Sequence, residues 1–238
     1  MKPRSPSPRS STEPPACTRI LLVDDHPMLR DGLQHMIRLE PDLICCGGVD
    51  SSEEALGLVT ALKPDLVITD ITLPGRNGLE LIRDILAMFP EMPILVFSMH
   101  DELFYAERAL KAGARGYLMK EAGGGKVMGA IRVILAGDIA VSPCIAARIL
   151  NQYAGQAGRC SHSPVEKLTD REFEVYQLIG EGKVTKEIAQ QLHLSAKTVA
   201  AHRGHIKEKL GLATTQDLSR YAMRWTEALS IGGPNHSE

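Results

Sequence analysis

The chain has 238 residues, enough for one large domain or two ordinary ones, and its 44% apolar and 24% charged content is that of a soluble globular protein. No apolar run approaches the ~18 residues of a membrane span, so no membrane partner is expected, and five cysteines without paired or CxxC spacing fit reduced thiols in a cytoplasmic protein. The net charge of -2 conceals a division: residues 19–137 hold 12 basic and 17 acidic side chains, residues 164–225 hold 10 and 8, which predicts two domains with different partners.

In chain order, residues 1–17 (opening MKPRSPSPRSSTEPP) lack the apolar core of a secretory signal and read as a disordered, weakly basic tail. Residues 19–25 (RILLVDD) form a short apolar run ending in two acids. Met28, Leu29, Leu33, Met36 and Ile37 then recur at helical spacing behind Pro27, a residue suited to a first helical position. Strands are predicted at 43–49, 65–70, 93–98 and 116–119, and helices at 52–62, 78–89, 101–112 and 126–136. Cys45 and Cys46 should face opposite sides of their strand. Gly123, Gly124 and Gly125 should delay or fray the last of these helices. Five β-α units with short connections imply a right-handed, doubly wound, five-stranded parallel α/β sheet covered on both faces. Chemistry in such a sheet sits beyond the carboxyl ends of its strands.

At those ends stand Asp24, Asp25, Asp70, Ser98 and Lys120. Asp70 closes a buried apolar strand just before Pro74 and Gly75 break it. Three neighbouring carboxylates repel unless a cation lies among them, and a hard oxygen-loving divalent ion such as Mg²⁺ is the economical answer. Lys120 supplies a point charge and Ser98 a hydroxyl for phosphoryl oxygens, which leaves the central Asp70 as nucleophile and phosphoacceptor. Taken singly, Ser98 also reads as a strand-end hydroxyl and Lys120 as a solvated charge.

The segments LLVDD, DITLPGRNG, VFSMHD and GYLMK resemble the receiver domain of two-component response regulators across residues 18–137. The resemblance implies that Asp24, Asp25, Asp70 and the backbone carbonyl of Thr72 hold Mg²⁺. It implies that a sensor histidine kinase phosphorylates Asp70, and that Ser98 and Lys120 engage the phosphoryl group. Thr72 and His100 fall where the family tunes the lifetime of the acyl phosphate. Tyr117 matches the aromatic that turns inward when the Ser or Thr moves toward the phosphoryl group; its plain reading is an edge-strand aromatic.

Residues 138–163 read as a connector, with a helical fragment at 145–150 and then AGQAGRCSHSP as a flexible linker. From Leu168 the period is helical. Thr169 and Glu172 form a capping box, a second helix is predicted at 186–193, Ser195 caps a third that runs to Leu210, and Thr214 with Asp217 opens a fourth. The tight turn at His193, Leu194 and Ser195 makes a helix-turn-helix within a small all-α, four-helix domain at 164–230, followed by a tail at 231–238. Lys197, Arg203, Lys207 and Lys209 lie on or beside the outer face of the third helix, where they can neutralise phosphates; a solvated basic face is the bland alternative.

The REFEV, KEIA, KTV, HR and IKEKLGL elements resemble the LuxR-type domain of NarL/FixJ response regulators. That implies contacts to double-stranded DNA through Lys197, Thr198, Ala200, Ala201, Arg203, Lys207 and Lys209. Ala200, Ala201 and Gly204 are smaller than the residues several relatives carry, and Val184 replaces the usual capping Ser. A homodimer is expected upon phosphorylation, with Leu218, Tyr221, Ala222 and Trp225 as the candidate dimer face or, alternatively, core. The expected function is phosphorylation-controlled transcription regulation, the receiver accepting phosphoryl on its own Asp rather than acting as an enzyme. The alternatives are a Mg²⁺-dependent phosphohydrolase, against which Thr72 in place of a nearby acid argues, and a DNA-binding regulator independent of phosphorylation.

Overall fold

A computed structural model describes residues 17–74, 76–154 and 164–232. The expected N-terminal tail, the AGQAGRCSHSP linker and nearly all of the C-terminal tail lie outside the described residues. The first domain comprises β1 (Thr18–Val23), α1 (Pro27–Arg38), β2 (Leu43–Val49), α2 (Ser52–Leu62), β3 (Leu66–Thr69), α3 (Gly78–Met88), β4 (Ile94–Ser98), α4 (Glu102–Ala112), β5 (Gly116–Met119) and α5 (Gly124–Leu135). The strands lie in the order β2-β1-β3-β4-β5, all parallel. Alternation along the strands sends Ile20, Leu22, Ile68 and Leu95 toward α1 and α5, and Leu21, Val23, Val67 and Val96 toward α2, α3 and α4.

Cys45 and Cys46 pack against opposite cores, as the period of two requires. The register shifts there: Ile20 pairs with Cys45 and Leu21 with Gly47, so Cys46 is the extra residue of a bulge.

The structure moves two boundaries. The fifth helix begins at Gly124 rather than near Lys126, because Gly123, at φ +77°, makes the sharp turn into it. The fragment expected at 145–150 is a full helix, α6 (Pro143–Tyr153), with Pro143 in its first turn and the Ser142 hydroxyl accepting from the Ile145 amide. It belongs to the first domain. Ile145 is buried, Ser142 donates to Glu102 Oε1 at 2.6 Å, and Arg148 donates to the Leu103 carbonyl at 3.0 Å.

The second domain holds α7 (Asp170–Gly180), α8 (Thr185–Gln191), α9 (Ala196–Lys209) and α10 (Thr215–Gly232). The Thr169–Glu172 capping box is closed in both directions, and Ser195 accepts from the Thr198 amide at 3.0 Å. At α8 only half a box exists. Glu187 reaches back to the Val184 amide at 2.9 Å, and the Val184 side chain has no oxygen to return the bond.

The two domains share one apolar cluster. Tyr105 and Ala106 of α4 join Phe173, Val175 and Tyr176 of α7, and Trp225 of α10 stacks 5.0 Å from Phe104. Among the described residues no helix is long and apolar enough to cross a membrane.

One glycine is fixed by the acid site. A Cβ on Gly78, the first residue of α3, would fall 1.9 Å from the Asp70 carbonyl oxygen and 2.9 Å from Ile71 Cα. Both neighbours are backbone and cannot swing away. Gly78→Ala is therefore expected to destabilise the first domain by ~3 kcal/mol and to displace Asp70, which thermal unfolding and phosphoryl uptake would register together.

Candidate functional site

β3 stops at Thr69, so Asp70 is the first residue beyond the sheet's carboxyl edge, and its amide is held by the Val23 carbonyl at 2.9 Å. β1 stops at Val23 next door, which brings Asp24 and Asp25 to the same edge. Ligand atoms of Asp24, Asp25, His26 and Asp70 all lie within 4.8 Å of one another. Lys120, just past β5, places its ammonium 2.7 Å from both Asp24 Oδ2 and Asp70 Oδ2. Burial alone would lower the Lys120 pKa, yet Asp70 and Asp24 outweigh it and hold the ammonium above its ordinary value. Asp70 Oδ1 accepts the Ile71 amide at 2.6 Å.

Three carboxylates against one ammonium leave two negative charges uncompensated. His26 Nδ1 lies 2.7 Å from Asp25 and 3.2 Å from Asp24. The donor set is carboxylate oxygen at the surface end of a sheet, which suits a hard divalent cation that keeps some of its waters. The residues present fit Mg²⁺.

Ser98 ends β4, wholly buried, its Oγ accepting from the His100 amide at 3.4 Å. Thr72 Oγ1 is hydrogen-bonded to His100 Nε2 at 2.9 Å across the mouth of the site. Burial pulls the His100 pKa down, against the field of Asp70. The inward turn expected of Tyr117 upon phosphorylation is already made. Its ring is 1% exposed and its hydroxyl donates to the His100 carbonyl at 2.9 Å. Tyr105 of α4 lies between the two domains here, its ring tilted against His100 at 4.5 Å and edge-on to Phe173 of the second domain at 5.2 Å.

Sequence reasoning missed the interface between the two domains. Asp170, at the start of α7, accepts Arg83 of α3 at 2.7 Å and Arg108 of α4 at 3.1 Å. Arg108 also donates to the Val165 and Leu168 carbonyls and lies 4.1 Å above the Phe173 ring. Asn77 donates to Glu174 Oε1 at 3.1 Å, and His193, at φ +53° in the helix-turn-helix turn, approaches Asp25 at 3.6 Å. An arginine on an amphipathic helix carries no mark of its distant partner.

On α9 the outer face is divided. Lys197, Ala200 and Ala201 are exposed, and Thr198 and Lys207 are half-buried. Lys209 is drawn to Glu172 at 2.6 Å, and Arg203 is half-buried beside Ser219, with burial lowering its pKa. Arg203 is thus partly withdrawn into the domain, while Lys209 stays exposed with its ammonium paired to Glu172. Of the two readings of α10, core packing is the one the structure favours: Leu218 and Ala222 are fully buried, and Trp225 is taken by Phe104, Phe173 and Tyr176. Tyr221 and Met223 are the large apolar side chains that α10 leaves exposed among the described residues.

The comparisons fall on the same two regions. Residues 20–132 match the family described as response regulator receiver domain, and residues 166–222 match bacterial regulatory proteins of the luxR family. The chain is 40% identical over 205 residues to the transcriptional activator protein ExaE of Pseudomonas putida, covering 86% of this chain and 95% of that one. A crystal structure of a LuxR-family two-component response regulator from Aurantimonas is 37% identical, covers 58% of this chain and 99% of its own, and superposes with a TM-score of 0.54. RcsB of Salmonella enterica, solved on the rprA promoter with the phosphomimetic BeF3-, is 24% identical over 87% of this chain and 98% of its own, with a TM-score of 0.56; that likeness is one of fold.

Proposed function

The chain belongs to the response regulators that join a receiver domain to a LuxR-type DNA-binding domain, and from that premise we propose that Asp70 accepts a phosphoryl group from a sensor histidine kinase and thereby sets DNA binding by α9. The observation that carries the reading is Lys120 bridging Asp24 and Asp70 at 2.7 Å each, at the edge where three carboxylates converge. A carboxylate oxygen of Asp70 attacks phosphorus, the P–N bond of the phosphohistidine breaks, and the departing imidazole takes a proton from solvent. The product is an acyl phosphate. Lys120 turns from its carboxylates to a phosphoryl oxygen, and Ser98 donates to another. Mg²⁺, held by Asp24, Asp25, Asp70 and the Thr72 carbonyl, would offset the charge on phosphoryl during transfer.

The docked arrangement is the resting one in this reading. The outer residues of α9 are exposed in it, so docking acts by tying the domain to α3 and α4 and by holding Trp225 of α10. Phosphorylation alters the loops that carry Thr72, Asn77 and His100, and the first of them touches α7 through Asn77. Released domains then pair on two half-sites, because one helix-turn-helix reads too few base pairs to be selective. Lys197, Thr198 and Lys207 contact phosphates, with smaller shares from Arg203 and Lys209. Ala200 and Ala201 offer methyls to thymine methyl groups. The protein acts in the cytoplasm.

The phosphohydrolase alternative is tested by incubating the chain with Mg²⁺ and a small phosphoryl donor. One stable phosphoryl per chain, lost in hydroxylamine as an acyl phosphate is, supports the regulator; many turnovers per chain would count against it. Lys197→Ala is expected to weaken binding to all DNA sequences alike and to reduce the slope of log affinity against log salt by about 1, read by titration at several salt concentrations.

A further inference from the structure

Glu174 exposes no side-chain surface. One of its oxygens accepts Asn77 Nδ2 at 3.1 Å across the domain boundary, and the other accepts Arg171 Nη1 at 2.7 Å. Asn77 is anchored too, since its Oδ1 caps α3 by accepting the Leu79 and Glu80 amides. Arg171 spends its second nitrogen on the Leu192 carbonyl at 2.8 Å, one residue before the helix-turn-helix turn. A continuous run of bonds therefore joins the loop after Asp70, through Glu174, to the turn that sets α9.

The charges around Glu174 do not settle it as a carboxylate. Arg171 favours the charged form, while Asp170 on its own helix and Glu80 on α3 oppose it. Arg83 of α3 and Arg108 of α4 are engaged with Asp170. Tyr105, from α4, is neutral, and burial pushes its hydroxyl well above the ordinary value. His202 of α9 faces Arg171, and burial lowers its pKa, which keeps it from adding a cation. Loss of water dominates: burial, partly countered by Arg171, pushes the Glu174 carboxyl up to about 7 from an ordinary 4.5. A protonated carboxyl still accepts from Asn77 through its carbonyl oxygen, so protonation keeps the cross-domain bond. Separating the domains removes Asn77 and Glu80 from its surroundings and admits water.

We propose that closing the two domains traps a proton on Glu174, so that docking strengthens on acidification and loosens as pH rises through neutrality. The direction follows from linkage. A group raised in the docked state carries a proton that the separated state lacks, between the ordinary value and the raised one. The stabilisation is complete below the lower value and is lost as pH climbs through the upper, the docking constant falling about tenfold per pH unit inside the window. The consequence for DNA binding rests on the docked form being the resting form. The linkage itself is measured without phosphoryl donor or DNA, so its failure would leave the reading of Asp70 untouched.

Trp225 is the single tryptophan and sits 5.0 Å from Phe104 across the boundary, so its emission reports docking. In the full chain, tryptophan emission and radius of gyration from small-angle scattering are followed from pH 5.5 to 8. The expected result is a loss of docking of roughly thirtyfold from pH 5.5 to 8 in the wild type and a flat profile in Glu174→Gln. His193, 3.6 Å from Asp25, is another protonatable contact across the boundary. Wild-type docking that does not change with pH, or a dependence that survives in Glu174→Gln and vanishes in His193→Gln, overturns the proposal. A carboxyl-carbon NMR titration of the wild type needs no substitution. It should find Glu174 titrating near neutrality, and a midpoint in the ordinary carboxylate range would likewise overturn it.

Discussion

Asp70→Asn is expected to abolish phosphoryl uptake, a fall on the order of 10³-fold or more, while the chain folds and binds DNA at its unphosphorylated level. An amide has the shape of the carboxylate and accepts the Ile71 amide as Asp70 Oδ1 does at 2.6 Å. It lacks the anionic oxygen that attacks phosphorus. It also removes one of the two carboxylates that Lys120 bridges, so Lys120 should lean further toward Asp24. The uptake assay uses a labelled small phosphoryl donor with Mg²⁺, and the DNA assay is run in parallel with and without donor. The wild type should gain affinity from the donor and the variant should not. A variant that still incorporates label at the wild-type rate would place the acceptor elsewhere.

The second large effect is expected at Arg108. Its guanidinium reaches from α4 to Asp170 at 3.1 Å and to the carbonyls of Leu168 and Val165, and covers the Phe173 ring. Truncation leaves those two carbonyls without this charged donor and leaves Asp170 with the half-exposed Arg83 alone. Hydrogen bonds to charged groups contribute about 1.5–3 kcal/mol each, and Arg83 recovers part of the loss. Arg108→Ala should therefore weaken docking by about 2 kcal/mol, roughly thirtyfold. Trp225 emission should shift red as its ring leaves Phe104, and DNA affinity without phosphoryl should rise toward the phosphorylated level. Unchanged emission with unchanged affinity would mean that Arg108 does not hold the domains together.

The sheet, its parallel order and the acid edge were legible because strands and helices impose periods of two and 3.6 on their apolar residues, and because Asp24, Asp70, Ser98 and Lys120 each stand at a strand end. The four helices of the second domain were legible for the same reason, helped by Thr169 and Ser195 as caps. Contacts between distant segments were not. Asn77 and Glu174 are 97 residues apart, and nothing local to either residue specifies the other. Arg108 and Asp170, 62 residues apart, are in the same position. The fate of a lysine on a basic helix is equally a tertiary matter: Lys209 looked like its neighbours in sequence and is paired with Glu172 of α7. Trp225 followed the apolar stripe of its helix correctly and packs on Phe173 and Tyr176 of its own domain, but the contact with Phe104 lies in the first domain. Tyr117 was read as a residue that turns inward upon phosphorylation because of the resemblance to receiver domains, its place on an edge strand suggesting only an edge-strand aromatic. The His100 carbonyl already holds its hydroxyl inside.

The central claim is that phosphoryl on Asp70 releases the helical domain from α3 and α4. The most direct test is small-angle scattering of the full chain with Mg²⁺, before and after addition of beryllofluoride, with Asp70→Asn as control. The account predicts a compact particle that expands or dimerises on addition of the phosphoryl mimic, accompanied by a red shift of Trp225, and no change in the control. Scattering and emission that stay the same in the wild type, alongside a gain in DNA affinity, would contradict release as the means by which Asp70 controls α9.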